Sequence, residues 1–124
     1  MNKSILLIDD DKILTFITVN SIKKLGIVDK INVAYNGKEA IDHLIDSLVA
    51  PDFILLDINM PIMDGFDFLD QYYKLGLNGK SKIAIYTSSI QQEDQDKAKK
   101  YSDVFDFIIK PLSTEKLEKI ILEM

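Results

Sequence analysis

The chain has 124 residues, a formal net charge of −5, and 47% hydrophobic and 28% charged residues. This length and composition are typical of one globular domain, so we expect residues 1–124 to form a single domain. The negative charge and the lack of a basic block argue against a nucleic-acid partner. Cysteine is absent, which excludes disulfide and thiol chemistry, and the single histidine, His43, cannot form a zinc site alone.

The first apolar run covers residues 5–8, and three acidic residues follow it directly. A run this short followed by acids does not resemble a signal peptide. No other run reaches the length that a membrane span requires. We therefore expect a cytoplasmic protein with no membrane partner.

Short apolar runs alternate with longer segments of helical pattern along the chain. The predicted strands are residues 4–8, 30–35, 53–56, 82–86 and 104–109. The predicted helices are residues 12–25, 37–47, 65–75, 91–101 and 113–122. Five repeats of strand and helix predict an α/β fold, in which a doubly wound parallel sheet is covered by helices on both faces.

The composition of the strands predicts their order in the sheet. The first, third and fourth runs are uninterrupted apolar segments, as expected of central strands. Asn32 and Asp106 interrupt the second and fifth runs, which are typical of edge strands. These features favour the order 2-1-3-4-5 of a flavodoxin-like three-layer sandwich, with helices one and five on the same face. A ligand site is then expected between the ends of strands one and three.

Acidic residues follow these same two strands: Asp9 and Asp10 after the first, and Asp57 after the third. Two carboxylates about 4 Å apart repel by roughly 4 kcal/mol at an effective dielectric constant of about 20, so such a cluster either binds a cation or takes up a proton on one member. Mg²⁺ prefers oxygen ligands and keeps some of its waters. Asp10, Asp57 and the backbone carbonyl of Asn59 could supply those ligands, with Asp9 binding directly or through a water. Asp11 is expected to begin the first helix and face away.

Asp57 can also act as a nucleophile, because a carboxylate that attacks a phosphoryl group forms an acyl phosphate. Such a transfer requires neutralisation of the phosphoryl oxygens. Thr87 follows strand four and can donate a hydrogen bond, and Lys110 follows strand five and can pair with the phosphoryl charge. Each of these residues alone is a weak signal, but together they predict one phosphoryl-transfer site.

In their order along the chain these residues resemble the receiver domain of two-component response regulators, over nearly the whole length. The matching positions are Asp9 and Asp10, then Asp57 with Pro61 and Gly65 downstream, then Thr87, then Lys110 and Pro111. The resemblance implies that Asp57 accepts a phosphoryl group from a sensor histidine kinase or a histidine phosphotransfer protein. It also implies Mg²⁺ bound by Asp9, Asp10, Asp57 and the Asn59 carbonyl, and a single-domain, chemotaxis-regulator-like protein that contacts a downstream protein target.

The resemblance further implies a conformational switch, in which Thr87 moves toward the phosphoryl group and the ring of Phe107 turns inward. It implies a cis peptide bond before Pro111. Asn59 and Ser89 occupy the positions that tune dephosphorylation in this family. No enzymatic activity is implied beyond assistance to the domain's own phosphorylation and dephosphorylation.

The first helix carries apolar residues beyond those that a core stripe requires. The predicted stripe contains Leu14, Ile17, Ser21, Ile22 and Leu25. Ile13 and Phe16 lie outside the stripe, beside the acidic residues. They could pack under a loop, or they could dock the helices of the phosphodonor. We favour docking as a hypothesis.

The fourth predicted helix is unusually polar, with Ala98 and Tyr101 as its apolar residues. Few buried contacts indicate low local stability. We therefore expect this helix to be the mobile element that phosphorylation reorders against strand five.

Three alternative functions remain open from the sequence. A haloacid-dehalogenase-type phosphatase would use Asp9 as its nucleophile and Asp11 as its acid, although 124 residues leave little room for a cap. A receiver-like interaction module would never be phosphorylated. A flavin carrier of similar topology would need a hydroxyl- and glycine-rich loop after strand one, where this chain has acids.

Overall fold

The computed structural model describes residues 3–88, 91–110 and 112–123. Strands and helices alternate along these residues as predicted, and most element ends differ from the prediction by no more than one residue. The strands are β1 (Ser4–Ile8), β2 (Lys30–Ala34), β3 (Phe53–Leu56), β4 (Lys82–Thr87) and β5 (Val104–Ile109). The helices are α1 (Lys12–Leu25), α2 (Gly37–Asp46), α3 (Gly65–Lys74), α4 (Gln92–Ala98) and α5 (Thr114–Leu122).

The strands form one parallel sheet in the order β2-β1-β3-β4-β5, which confirms the predicted order. The central strands β1, β3 and β4 are buried apart from the first residues of β1 and β4, Ser4 and Lys82, whereas the edge strands β2 and β5 are partly exposed along their length. One register irregularity occurs where β5 pairs with β4, because Ile83 lies opposite Val104 but Ala84 lies opposite Asp106. The carboxyl ends of all five strands thus lie along one edge of the sheet.

Two apolar cores cover the two faces of the sheet, as expected of a doubly wound fold. The first core joins the sheet to α2, α3 and Ala98 of α4, and includes Phe66, Phe68 and Tyr72. The second joins the sheet to α1 and α5, and includes Ile22. The prediction that α1 and α5 share a face is therefore confirmed.

Capping side chains explain where most of these helices begin. The Asp11 carboxylate accepts a hydrogen bond from the Leu14 N–H, and Asn36 and Ser113 cap α2 and α5 in the same way. Asp64 and Asp67 form a reciprocal capping box at α3. Gln91, before α4, makes no such side-chain bond.

The buried face of α1 differs from the predicted stripe. Thr15, Thr18 and Ile22 are the buried residues of this helix, whereas the side chain of Ile17 is 55% exposed. The prediction for Ile17 was wrong because the helix presents the line of residues 15, 18 and 22 to the sheet, and two threonines take core positions. Ile17 instead extends the exposed apolar surface of α1.

Helix α4 is shorter than predicted, ending at Ala98 rather than at residue 101. Tyrosine hydroxyls of α3 hold the segment that follows it. Tyr72 donates to the Asp103 carboxylate at 3.0 Å, and the Tyr73 hydroxyl accepts from the Asp103 N–H at 2.7 Å. Tyr101 donates in turn to Asp70 of α3 at 2.7 Å. The carboxyl end of α4 is therefore anchored, although Ala98 is its one buried residue.

The loop between β3 and α3 contains a tight turn centred on Ile62. The Met63 N–H donates to the Pro61 carbonyl at 2.8 Å, and Ile62 has a φ of 70° with its side chain 82% exposed. A β-branched residue at positive φ is strained. The loop therefore stores backbone strain close to the end of β3.

Candidate functional site

The acidic residues after β1 and β3 converge, as predicted. Ile8 lies opposite Leu56 in the sheet, and the Asp57 N–H donates to the Ile8 carbonyl at 2.9 Å. Asp9, Asp10 and Asp57 each offer a carboxylate oxygen, and these three oxygens lie within 4.8 Å of one another. We call these three residues the acid pocket.

Lys110 supplies a positive charge to the acid pocket from the end of β5. Its Nζ lies 3.4 Å from Asp9 Oδ2 and 3.5 Å from Asp57 Oδ2. Its backbone N–H donates to the Thr87 carbonyl at 2.7 Å, which fixes the start of the side chain beside β4. One ammonium group does not balance three carboxylates, so the pocket retains an excess of negative charge.

Asp57 is buried, and its environment raises the energy of its charged form. Burial is the main reason that its pKa rises from an ordinary 3.8 to about 6. The Asn59 N–H, which donates to Asp57 Oδ1 at 3.1 Å, and the Lys110 ammonium oppose this rise, while Asp9 adds to it. A divalent cation would stabilise the carboxylate form of Asp57.

Asp9 and Asp10 have different surroundings. Asp9 is fully buried; its Oδ1 accepts from the Asp11 N–H at 3.0 Å, and its Oδ2 accepts from the Tyr86 hydroxyl. Asp10 is exposed, and no hydrogen bond to its carboxylate is present within residues 3–88, 91–110 and 112–123. Asp11 caps α1, as predicted.

The donor set of the acid pocket fits Mg²⁺. Hard divalent cations prefer carboxylate and carbonyl oxygens, and here three carboxylates from two strand ends lie within reach of one ion. The Asp10 carboxylate makes no hydrogen bond with another described residue, and burial raises the pKa of Asp57, so a bound cation would stabilise its carboxylate form. The predicted ligands Asp9, Asp10 and Asp57 are therefore together, and Asn59 follows Asp57 by two residues.

The Asn59 side chain makes a contact that the sequence did not predict. Its Nδ2 donates to Thr87 Oγ1 at 3.0 Å, across the ends of β3 and β4. Thr87 is fully buried. The contact links the predicted switch residue Thr87 directly to the loop that carries Asp57.

Three of the remaining predicted site residues are described by the structure, and two are not. Phe107 is half-buried and packs against the core of α2 and α3. Ile13 and Phe16 are 77% and 68% exposed, so they lie outside the core as expected. Pro111 and Ser89 lie outside the described residues, and their predicted roles stay predictions.

Tyr86 is a buried residue of the site that the sequence pattern does not predict. It lies on β4 immediately before Thr87 and belongs to the core of α1 and α5. Burial raises its pKa, and the hydrogen bond to Asp9 raises it further, so the hydroxyl stays protonated. Its place in an apolar strand gave no sign of a polar contact; only its position next to a strand end could have suggested one.

Comparison with known families agrees with this geometry. Residues 5–122 match the family model of the response regulator receiver domain. The chain is a response regulator receiver domain. This receiver domain has the five-stranded sheet and the acidic edge of the predicted fold, and nothing in its geometry favours the phosphatase, non-phosphorylated or flavin-carrier alternatives.

Relatives of the receiver domain come from distant organisms. It is 31% identical over 117 residues to the two-component response regulator ORR41 of Oryza sativa, covering 94% of this chain and 90% of that protein. It is 30% identical to the chemotaxis protein CheY of Thermotoga maritima, over 94% of this chain and 92% of that one. A two-component response regulator from Cytophaga hutchinsonii superposes with a TM-score of 0.86 at 30% identity, covering 98% and 96% of the two chains.

Proposed function

We propose that the domain accepts a phosphoryl group on Asp57 in a Mg²⁺-dependent transfer from a sensor histidine kinase or a histidine phosphotransfer protein. The supporting observation is that Asp57, the acid pocket and Lys110 converge at one edge of the sheet. Asp10, Asp57 and the Asn59 carbonyl would hold Mg²⁺, with Asp9 close by. When bound, the cation neutralises charge on the transferred phosphoryl oxygens.

The transfer forms one bond and breaks one. A carboxylate oxygen of Asp57 attacks phosphorus, while the phosphorus–nitrogen bond to the donor imidazole breaks and its electron pair returns to the nitrogen. Lys110, already 3.5 Å from Asp57 Oδ2, pairs with the phosphoryl oxygens, and the Thr87 hydroxyl donates to them. Asn59 holds Asp57 Oδ1 through its backbone N–H.

The signal is a change of conformation that follows the new charge on Asp57. Thr87 leaves its contact with Asn59 to reach the phosphoryl group, and Phe107, on the neighbouring strand, turns inward. Helix α4 is the element best suited to respond, because only Ala98 of this helix is buried. The reordered surface then binds a downstream protein target.

Ile13 and Phe16 form the surface that docks the phosphodonor. Both are exposed on the first turns of α1, directly after the acid pocket in the chain. Ile17, on the same helix, is 55% exposed and extends this apolar surface. Exposed apolar residues next to a reactive site are typical of a protein-docking surface.

The setting of this signalling is a cytoplasmic two-component pathway, with neither a membrane nor a nucleic acid as partner. Within the described residues, no helix is long and apolar enough to span a bilayer. The net charge of −5 also disfavours binding to phosphate backbones. The domain acts through protein contacts and assists only its own phosphorylation and dephosphorylation.

The proposal is tested by incubation with acetyl phosphate and Mg²⁺, followed by intact-mass analysis. The wild type should gain one phosphoryl group, and Asp57→Asn should gain none. Asp11→Asn is the matched control, because it alters a neighbouring acid that only caps α1 and asparagine caps equally well. Labelling of Asp57→Asn at the wild-type level would instead support a strand-one nucleophile and contradict the proposal.

A further inference from the structure

The hydroxyl of Tyr86 reaches into the acid pocket from the core. Tyr86 is 1% exposed, and its hydroxyl donates to Asp9 Oδ2. The Lys110 Nζ lies 4.6 Å from the centre of the Tyr86 ring and also contacts Asp9 Oδ2, at 3.4 Å. Tyr86 thus touches both a pocket carboxylate and the lysine that neutralises it.

These contacts occupy most of the acceptor capacity of Asp9. A carboxylate offers about four lone-pair sites, two on each oxygen. The Tyr86 hydroxyl and the Lys110 ammonium occupy the two lone-pair sites of Oδ2. The Asp11 N–H occupies one lone-pair site of Oδ1. Asp10 contrasts with this arrangement, because no such bond to its carboxylate is present in the described part of the chain. The two neighbouring acids are therefore unequal as ligands.

We propose that Tyr86 is a positioning residue, which ties Asp9 Oδ2 into the core and thereby limits the affinity of the acid pocket for a divalent cation. Asp10 and Asp57 then remain as the direct ligands, and Asp9 can contribute only through Oδ1. The inference builds on the Mg²⁺ site of the proposed function.

The hydrogen bond from the Tyr86 hydroxyl to Asp9 Oδ2 also keeps Asp9 paired if Lys110 moves. Lys110 contacts Asp9 and Asp57 at nearly equal distances, 3.4 and 3.5 Å. If Lys110 turns to a phosphoryl group on Asp57, Asp9 Oδ2 loses that contact. The Tyr86 hydroxyl stays as a donor, so the fully buried carboxylate keeps a partner and its position. Tyr86 therefore lets Lys110 act on the phosphoryl group without leaving Asp9 Oδ2 unpaired.

Tyr86→Phe isolates the hydroxyl, because phenylalanine keeps the buried ring and its contact with Lys110. Mg²⁺ is titrated into the protein by calorimetry, without a phosphodonor. We expect the variant to bind Mg²⁺ about three- to tenfold more tightly, since Asp9 loses a competing donor. Tyr72→Phe is the matched control: Tyr72 is as buried a residue as Tyr86, its hydroxyl donates to Asp103 outside the acid pocket, and its loss should leave Mg²⁺ affinity unchanged.

A spectroscopic readout separates positioning from a general structural effect. The chain has no tryptophan, so its near-ultraviolet spectrum reports mainly on five tyrosines. Mg²⁺ should perturb this spectrum in the wild type and in Tyr72→Phe, and the change should be absent in Tyr86→Phe. The inference is overturned if Tyr86→Phe binds Mg²⁺ equally or more weakly, or keeps the spectral change.

The proposed function fails by a different result. Absence of labelling on Asp57 with acetyl phosphate would overturn the phosphoacceptor role, whatever the titrations show. Wild-type labelling on Asp57 together with an unchanged Mg²⁺ affinity in Tyr86→Phe would overturn only the role of Tyr86.

Discussion

The Asn59 amide donates to the Thr87 hydroxyl oxygen at 3.0 Å, which joins the loop after β3 to the end of β4. The contact holds Thr87 before any phosphoryl group is present. If Thr87 moves toward a phosphoryl group as proposed, this bond must break, so we expect Asn59 to stabilise the unphosphorylated arrangement.

Asn59→Ala should therefore shift the protein toward the phosphorylated arrangement. The loss of one hydrogen bond, about 0.5–1.5 kcal/mol, would change the equilibrium of the Thr87 side chain by roughly two- to twelvefold. The methyl resonance of Thr87 in the unphosphorylated variant should move toward its position in wild type carrying a phosphoryl mimic. A resonance that stays at the wild-type position would contradict the role of Asn59. The Asn59 carbonyl is kept in this variant, so its ligand role is not tested.

Asp57→Asn should stabilise the protein at neutral pH in the presence of a chelator. The pKa of Asp57 is about 6 in the folded protein, above its ordinary 3.8. The folded state therefore binds this proton more tightly, and stability is lost as pH rises from about 4 to about 6. At pH 7 the charged Asp57 lowers the free energy of unfolding by about 3 kcal/mol. Asparagine carries no charge and avoids much of this destabilisation.

Urea unfolding near pH 7.5 should show the variant more stable by about 1–3 kcal/mol, with the difference shrinking near pH 4. Asp42→Asn is the control, because within the described residues the Asp42 carboxylate forms just an exposed ion pair with Lys38, and its loss should change stability by less than about 0.5 kcal/mol. A variant that is less stable than wild type near pH 7.5 would show that the Asp57 charge is well compensated.

Phe16→Asp should slow phosphoryl transfer from a histidine kinase by about tenfold, because a charge would replace an apolar docking residue. Labelling by acetyl phosphate should be unaffected, since a small donor needs no docking surface. The measurement compares the two transfer rates in one preparation. Ile45→Asp, at another exposed apolar position, serves as control and should leave both rates unchanged. An equal loss with both donors would refute the docking role of Phe16.

Ile62→Gly should raise the free energy of unfolding by about 1 kcal/mol. A residue with a side chain is destabilised by roughly 1–2 kcal/mol at positive φ, and glycine avoids this strain. Glycine also loses more backbone entropy on folding, which offsets part of the stabilisation. The side chain is 82% exposed, so its removal loses little burial. The transition temperature should rise by about 3–6 °C in calorimetry. Ile45→Gly, an exposed position inside α2, should instead lower stability by about 1 kcal/mol.

A stability of Ile62→Gly at or below that of the wild type would mean that the isoleucine side chain makes stabilising contacts in the loop. Such a result would remove the strain argument for this turn.

Hydrogen exchange with and without a phosphoryl mimic should change across residues 91–98. Helix α4 has one buried residue and no side-chain cap, so its amides should exchange rapidly with solvent, and their exchange rates should change when the mimic binds. The amide of Asp103, which donates to the Tyr73 hydroxyl, should keep its protection. Unchanged protection throughout residues 91–107 would contradict a mobile α4.

The sequence predicted the fold and the acid pocket because both follow from strong, simple patterns. Uninterrupted apolar runs identified the central strands, and parallel strands bring their carboxyl ends to one edge. Asp9 and Asp57 therefore had to meet once the order 2-1-3-4-5 was inferred. No distances were needed for this step.

The contacts of Tyr86 and the Asn59 side chain could not be predicted in this way, because they depend on side-chain rotamers across neighbouring strands. The face of α1 was also misjudged. Apolar periodicity favoured Ile17, but Thr15 and Thr18 occupy the buried line, and small polar residues at core positions give no periodic signal. The strain at Ile62 was hidden because isoleucine is not a residue that marks a turn.

The hydroxyls of Tyr72, Tyr73 and Tyr101 have a practical consequence for building a sensor from this domain. They attach the segment after α4 to α3, so we expect any movement of α4 to be greatest at its opposite end, near Gln92. A fluorophore attached at Gln92 should therefore report the largest displacement. A second fluorophore attached beside Asp103 should move little and could serve as the internal reference.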